Sequence, residues 1–189
     1  MTQVFKDKKA LITGASGGLG GAIAIKLALK GCSLHLVGRD IVKLRDTSNK
    51  IKDLCPNNQV TYSSVDFTDF SDVCRFLEIT EFGFDILINC AGVFPIKNIS
   101  QSSVEDYNIC FDVNVKVPFL LSKAVLSHMK EKGWGRVVNV ASSSAFNGSA
   151  DTGLYCASKH ALLGLSRSLY QELKPFGVRV YTVAPGSIQ

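Results

Sequence analysis

Two hydrophobic rhythms alternate along the chain from Lys8 to Ala184. Short, largely apolar runs appear at Lys8–Thr13, Ser33–Gly38, Gln59–Ser64, Phe84–Ile88, Gly135–Ser142 and Val178–Ala184. Runs of that length, bounded by Gly, Pro or Asn, predict buried strands. Between them lie longer stretches with apolar residues three or four apart, the spacing of a helix with one buried face. Gly18–Lys30 shows it at Leu19, Ile23 and Leu27, beside Ala24 and Ala28; Gly31 is the residue expected just past a helix end. Further helices are predicted over Asp40–Leu54, Asp69–Ile79, Ser102–Lys132 and Gly153–Lys174, the last stopped by Pro175–Gly177. Val117-Pro118 predicts a kink in the Ser102–Lys132 helix, because proline removes an intrahelical hydrogen bond.

Strands alternating with helices imply parallel pairing through right-handed crossovers. Apolar runs with little alternation fit a sheet covered on both faces. The expected fold is therefore a single α/β domain over residues 1–189. Its core is a Rossmann-type, doubly wound parallel sheet of six strands in the order 3-2-1-4-5-6. No linker, repeat or low-complexity segment interrupts the pattern.

Composition narrows the class. With 46% hydrophobic and 20% charged residues, the chain is globular rather than disordered. No apolar run reaches the ~18 residues that cross a bilayer, and Met1–Lys9 lacks the apolar stretch of a secretory signal. A cytoplasmic protein without a membrane partner is expected. Cys32, Cys55, Cys74, Cys90, Cys110 and Cys156 stand singly, which predicts reduced, packed thiols rather than disulfides. His35, His128 and His160 also stand apart, and no cluster has metal-ligand spacing. The net charge of +5 is spread along the chain, unlike the basic stripe of a nucleic-acid binder. A mildly basic surface suits an anionic small molecule instead.

Thr13-Gly14-Ala15-Ser16-Gly17-Gly18-Leu19-Gly20 joins the first strand to the first helix. Gly14, Gly18 and Gly20 stand where a backbone turns tightly and approaches a pyrophosphate. The helix that follows offers free N–H groups and a partial positive charge to phosphates. A strand before and a helix after give this motif its meaning as a dinucleotide cradle, with Ser16, Gly17 and Leu19 as further contacts. Gly38-Arg39 ends the second strand. An acidic residue there would hold the ribose 2′-hydroxyl of NAD(H). Arg39 instead presents a cation to a 2′-phosphate, so NADP(H) is favoured over NAD(H), with Asp40 next door offsetting part of that bias.

Tyr155-Cys156-Ala157-Ser158-Lys159 opens the last helix, and its four-residue spacing puts Tyr155 and Lys159 on one face. An ammonium beside a phenol favours the phenolate, which makes Tyr155 a usable general acid in carbonyl reduction and a base in alcohol oxidation. Ser142 ends the fifth strand at the sheet edge where α/β proteins place ligands, positioned to bond a substrate oxygen. Ser143 and Ser144 are adjacent; Ser142 is preferred because it directly follows the apolar run Val137–Ala141.

With these motifs in this order, the chain resembles a short-chain dehydrogenase/reductase over essentially its whole length. The matching positions are Thr13–Gly20, Asp66, Asn89-Cys90-Ala91-Gly92, Asn114, Ser142, Tyr155 with Lys159, and Pro185-Gly186. The resemblance implies hydride transfer between NADP(H) and a carbonyl or alcohol substrate of ketone or 3-oxoacyl type. It implies that Asp66 bonds the adenine amino group and that the backbone of Asn89, Ala91 and Gly92 lines the adenine-ribose channel. Asn114 would hold a water that relays protons to Lys159, which also binds the nicotinamide ribose. Tyr155 would move the proton and Ser142 steady the substrate oxygen, while Pro185, Gly186 and Ile188 pack near the carboxamide. Cys90 departs from the family's usual second asparagine. The resemblance also implies a homodimer or homotetramer built through the Ser102–Lys132 and Gly153–Lys174 helices.

The sequence ends at Gln189, shortly after Pro185-Gly186. Relatives of this type continue through a threonine that contacts the cofactor, a substrate lid and a seventh strand. Two readings follow. One is an active NAD(P)-dependent oxidoreductase; the alternative is a catalytically impaired dinucleotide-binding or subunit-interaction fragment. Retention of Asn114, Ser142, Tyr155 and Lys159 favours the first, and the early end favours the second. The sixth strand is expected to be an uncovered sheet edge.

Overall fold

A computed structural model describes residues 4–186. β1 (Lys9–Thr13) leads into α1 (Gly18–Leu29), β2 (Ser33–Gly38) into α2 (Ile41–Leu54), and β3 (Val60–Ser64) into α3 (Phe70–Ile79). β4 (Ile86–Asn89) is followed by α4 (Val104–Phe111), a π turn at Asp112–Lys116, and α5 (Val117–Glu131). β5 (Gly135–Val140), α6 (Gly153–Leu173) and β6 (Val178–Val183) complete the described elements. The strands are parallel in the order β3-β2-β1-β4-β5-β6, as their alternation with helices predicts.

Successive strand residues feed two apolar layers. Ala10 and Ile12 of β1 pack with Ala24 and Ala28 of α1 and Leu44 and Ile51 of α2. Leu11, between them, faces the other way and joins Phe76 of α3, Leu121 of α5 and Leu169 of α6. Helices thus cover both faces, which is why the strand sequences read as apolar runs rather than alternating ones.

The strand order reverses at β1, whose Ala10 pairs with Leu34 of β2 on one side and Ile86 of β4 on the other. Chains leaving β1 and β4 diverge there and open a crevice at their carboxyl ends. Thr13, at the end of β1, fixes one wall of it: its hydroxyl oxygen accepts from the Cys90 and Ala91 amides, each at 3.0 Å.

Three local expectations change. The break in the long helix is a π turn rather than a proline kink, with the Val117 N–H donating to the Asp112 carbonyl. Pro118 falls in the first turn of α5, where a missing N–H costs little. Asp40 caps α2 rather than opening it, while Asp69 caps α3, a job its position already suits. Ser142 lies beyond β5, where its hydroxyl caps a short turn at Ser143–Ala145 by accepting from the Ser144 N–H at 3.1 Å. Among the described residues β6 pairs with β5 alone, at the edge of the sheet.

Candidate active site

A cavity of about 620 Å³ lies over the carboxyl ends of the strands, bounded at one end by Arg39 and Asp66 and at the other by Tyr155 and Gly186. Its floor is the glycine loop. Gly14 has φ +68°, and a Cβ on it would stand 2.9 Å from the Ala91 amide nitrogen. A Cβ on Gly20 would come within 2.3 Å of the Gly14 carbonyl oxygen. Only glycine lets α1 begin this close beneath the β4 loop. Gly17 caps α1 without a side-chain bond, so the first amides of the helix and its dipole remain available to an anion. These features fit a dinucleotide pyrophosphate.

Two cations mark the far end, because Lys43 lines the cavity with Arg39. The Asp40 carboxylate is committed to α2, accepting from the Val42 and Lys43 amides at 3.1 Å each and lying 3.5 Å from the Lys43 ammonium. It therefore offsets the Arg39 charge less than its position beside Arg39 suggests. Asp66 accepts from the Thr68 amide at 3.0 Å and the Thr68 hydroxyl at 2.7 Å. Those bonds, with the nearby Arg39 charge, hold its carboxyl below the usual range.

At the other end, Lys159 is only 4% exposed. Its ammonium donates to the Val140 carbonyl at 2.9 Å and stands 5.6 Å from the centre of the Tyr155 ring. Burial pushes its pKa down to about 8. Ser142 and Tyr155 line the same cavity, as do Ala91, Gly92, Pro185 and Gly186. The Pro185 carbonyl accepts from the Ser143 amide at 2.9 Å, tying the end of β6 to the turn that carries Ser142.

Other candidate residues stand elsewhere. Gly18 turns the loop at φ +53° but is not in the cavity wall. Asn89 is buried under it, donating to the Asn139 side-chain oxygen at 2.7 Å and bracing β4 against β5. Asn114 is fully buried behind the wall: Oδ1 accepts from the Val93 amide, and Nδ2 donates to the Val93 carbonyl and to Ser158 Oγ. Both amide donors are thus engaged, and only the second Oδ1 lone pair is left to meet a water. Cys90 lines the wall, and its burial raises its thiol pKa, against a smaller opposing effect of Lys159. Ile188 lies outside the described residues.

Sequence reading overlooked Lys43, Phe94 and Ser158. Lys43, four residues beyond Arg39 at the start of a helix, carried a usable spacing signal. Ser158 adjoins Lys159, yet its bonds to Asn114 and the Tyr155 carbonyl appear only in three dimensions. Phe94 sits in an aperiodic loop, its ring edge-on to Tyr155 with centroids 4.4 Å apart.

Residues 8–189 match the family described as short chain dehydrogenase. The chain is 37% identical to an uncharacterised oxidoreductase of Staphylococcus saprophyticus over 188 residues, 97% of this chain and 79% of that one. Among solved structures, it superposes on a short-chain dehydrogenase from Sphingobium yanoikuyae in complex with NADPH with a TM-score of 0.90. The two are 30% identical, over 96% of this chain and 72% of that one. A bulky-bulky ketone specific alcohol dehydrogenase from Comamonas testosteroni gives a TM-score of 0.89 at 28% identity, over 95% and 72% of the two chains. The chain belongs to the short-chain dehydrogenase/reductase family of oxidoreductases, which act on CH–OH groups and carbonyls with NAD(P).

Proposed function

We propose that the protein reduces ketone-type carbonyls with NADP(H), or oxidises the matching alcohols, with Tyr155 as general acid and base. The observation that carries this is one cavity with Arg39 and Lys43 at one end and Ser142, Tyr155 and Lys159 at the other. The NADPH bound by one structural neighbour supports the choice of dinucleotide.

In this proposal Arg39 and Lys43 bind a 2′-phosphate, Asp66 the adenine, and the Gly14–Gly20 loop the pyrophosphate. Lys159 bonds the nicotinamide ribose, and Pro185 and Gly186 pack against the carboxamide. The nicotinamide supplies the hydride that reaches the carbonyl carbon. Tyr155 gives its phenolic proton to the carbonyl oxygen, and the Lys159 ammonium stabilises the negative charge left on the phenol. Because Ser142 Oγ accepts from the Ser144 amide, its own proton is free to bond the substrate oxygen as charge develops there. Asn114 positions this end by holding Val93, and with it Gly92, against Lys159.

Pairing with further copies through α4, α5 and α6 belongs to the same proposal. It is supported by the exposed apolar side chains of Val104, Tyr107 and Phe119. A reducing, cytoplasmic setting is supported by six free cysteines.

The test is NADPH oxidation with a panel of ketones and 3-oxoacyl thioesters, comparing the protein with Tyr155→Phe. A loss of about 10²–10⁴ in rate is expected; equal rates reject Tyr155 as the acid. NADPH and NADH titrations of Arg39→Ala and Lys43→Ala check the cofactor preference, which should move toward NADH.

A further inference from the structure

The two loops beside Tyr155 are rich in polar residues, yet each exposes large apolar side chains among them. Phe94 lines the cavity, meets the Tyr155 ring edge-on at 72°, and leaves 54% of its surface open. On the same loop Ile96 and Ile99 are 68% and 70% exposed, and Phe146, four residues past Ser142, is 58% exposed. The Ile99 Cδ1 atom lies 4.0 Å from where a Cβ on Gly153 would stand, at the start of the helix that carries Tyr155.

The loops that carry these side chains are tied to each other. The Lys97 amide donates to the Asp151 carbonyl at 2.6 Å, and the Asn98 side-chain amide donates to the Asp151 carboxylate at 3.2 Å. The 94–101 and 142–153 loops are thereby stitched together beside the reacting end of the cavity.

Charge is scarce there. Lys97 is the sole ionisable residue of 94–101, and its ammonium is paired with Asp106 at 2.6 Å. Asp151 is the sole one of 142–153. Lys159 is buried and bonded to the Val140 carbonyl. Neither loop offers an unpaired cation to a carboxylate or phosphate, and Arg39 and Lys43 stand at the opposite end. Phe94, the one of these side chains that lines the cavity, favours an apolar ligand surface because contact with its ring removes that surface from water.

From this we infer that the site takes uncharged ketones bearing an aryl or branched alkyl substituent, and that Phe94 is the residue that selects them. The inference rests on the carbonyl-reductase proposal above. The substituent lies against the open part of the Phe94 ring while the carbonyl oxygen faces Tyr155 and Ser142.

The experiment compares kcat/KM for acetophenone, dihydroxyacetone and pyruvate with NADPH, in the unaltered protein and in Phe94→Ala, Phe94→Leu and Tyr155→Phe. Acetophenone should be preferred by tenfold or more over both polar ketones, and Phe94→Ala should cut that preference about tenfold. Phe94→Leu should restore part of it, and NADPH titration shows that each variant still folds and binds. The inference falls if pyruvate or dihydroxyacetone is turned over equally well in a Tyr155-dependent way, which leaves the carbonyl-reductase proposal standing. It falls also if Phe94→Ala lowers all three substrates equally, or changes only the oligomeric state in light scattering. If the protein reduces none of them, nor any ketone of the wider panel, in a Tyr155-dependent way, both proposals fail together.

Discussion

Asn114 grips Val93 at both polar ends, accepting from its amide at 2.9 Å and donating to its carbonyl at 3.0 Å. Asn114 Nδ2 also donates to Ser158 Oγ at 3.0 Å, and Ser158 donates to the Tyr155 carbonyl at 2.8 Å. One buried side chain thus joins the π turn, the loop after β4 and α6. Asn114→Ala strips Val93 of both partners, and leaving groups of this kind unpaired costs about 1–3 kcal/mol each. A loss of about 2–4 kcal/mol in urea unfolding is expected, with kcat falling as well. Asn114→Asp keeps an acceptor for the Val93 amide but loses both donors, so its stability should also drop. An unchanged unfolding midpoint in either variant would show that the clamp carries no load.

Gly20 is a steric requirement of the dinucleotide cradle. An added methyl would meet three backbone atoms, namely the Gly14 oxygen at 2.3 Å, the Gly14 carbonyl carbon at 2.7 Å and the Ala15 nitrogen at 3.2 Å. Backbone cannot yield as a flexible side chain does, so Gly20→Ala must push the loop away from α1. The expected cost is about 1–3 kcal/mol of stability, with NADPH affinity lowered tenfold or more. Gly148→Ala, where nothing lies within 4 Å of the new methyl, is the matched control. Equal NADPH affinity in Gly20→Ala and the control contradicts the steric account.

The fold was legible because its signals are local and repeated. Ala10, Leu11 and Ile12 announce a strand buried on both faces, and Gly14 to Gly20 mark the turn into α1. Helix boundaries were less legible where tertiary bonds decide them. Nothing in Asp112–Lys116 marks a π turn, and the bonds that Asn114 makes from it to Val93 and Ser158 join residues far apart in sequence. The candidate site was legible where a motif carried it, as at Tyr155 and Lys159. Asn89 matched a motif through its backbone, whereas the bond by which its side chain braces β4 against β5 is visible only in the fold. Phe94 gave no signal at all, since a loop residue acquires meaning only from the neighbour it packs on.

His35 should make the protein acid-sensitive. Its Nδ1 lies 2.8 Å from Thr61 Oγ1 and its Nε2 3.0 Å from Ser63 Oγ, with Phe76 and Phe84 against the ring. Burial holds its pKa below the ordinary 6.5. As pH falls through 6.5 toward that lowered value, the unfolded chain takes up the proton first, so stability falls with pH. The slope from one such group is at most about 1.4 kcal/mol per pH unit. His35→Gln keeps a donor and an acceptor but cannot titrate. In urea unfolding at pH 7, 6 and 5, the unaltered protein should therefore lose more stability than this variant; parallel losses would clear His35 of the effect.

Lys159 should cost stability in the free protein. Its burial lowers the pKa from 10.5 to about 8, so at pH 7 the folded state carries an ammonium that the unfolded chain solvates better. A shift of that size corresponds to about 3 kcal/mol. The penalty is complete below pH 8 and is relieved as pH rises toward 10.5, because over that window the unfolded chain binds more protons than the folded one. Lys159→Met removes the buried charge and fills similar space, but forfeits the charged bond to the Val140 carbonyl, worth about 1.5–3 kcal/mol. A net gain of about 0.5–1.5 kcal/mol at pH 7 is expected, with ketone reduction lost. The gain should shrink between pH 8 and 10 as the unaltered lysine sheds its proton on its own. A variant that is less stable at pH 7, or whose gain does not change with pH, would mean that the buried ammonium is already fully compensated by the groups around it.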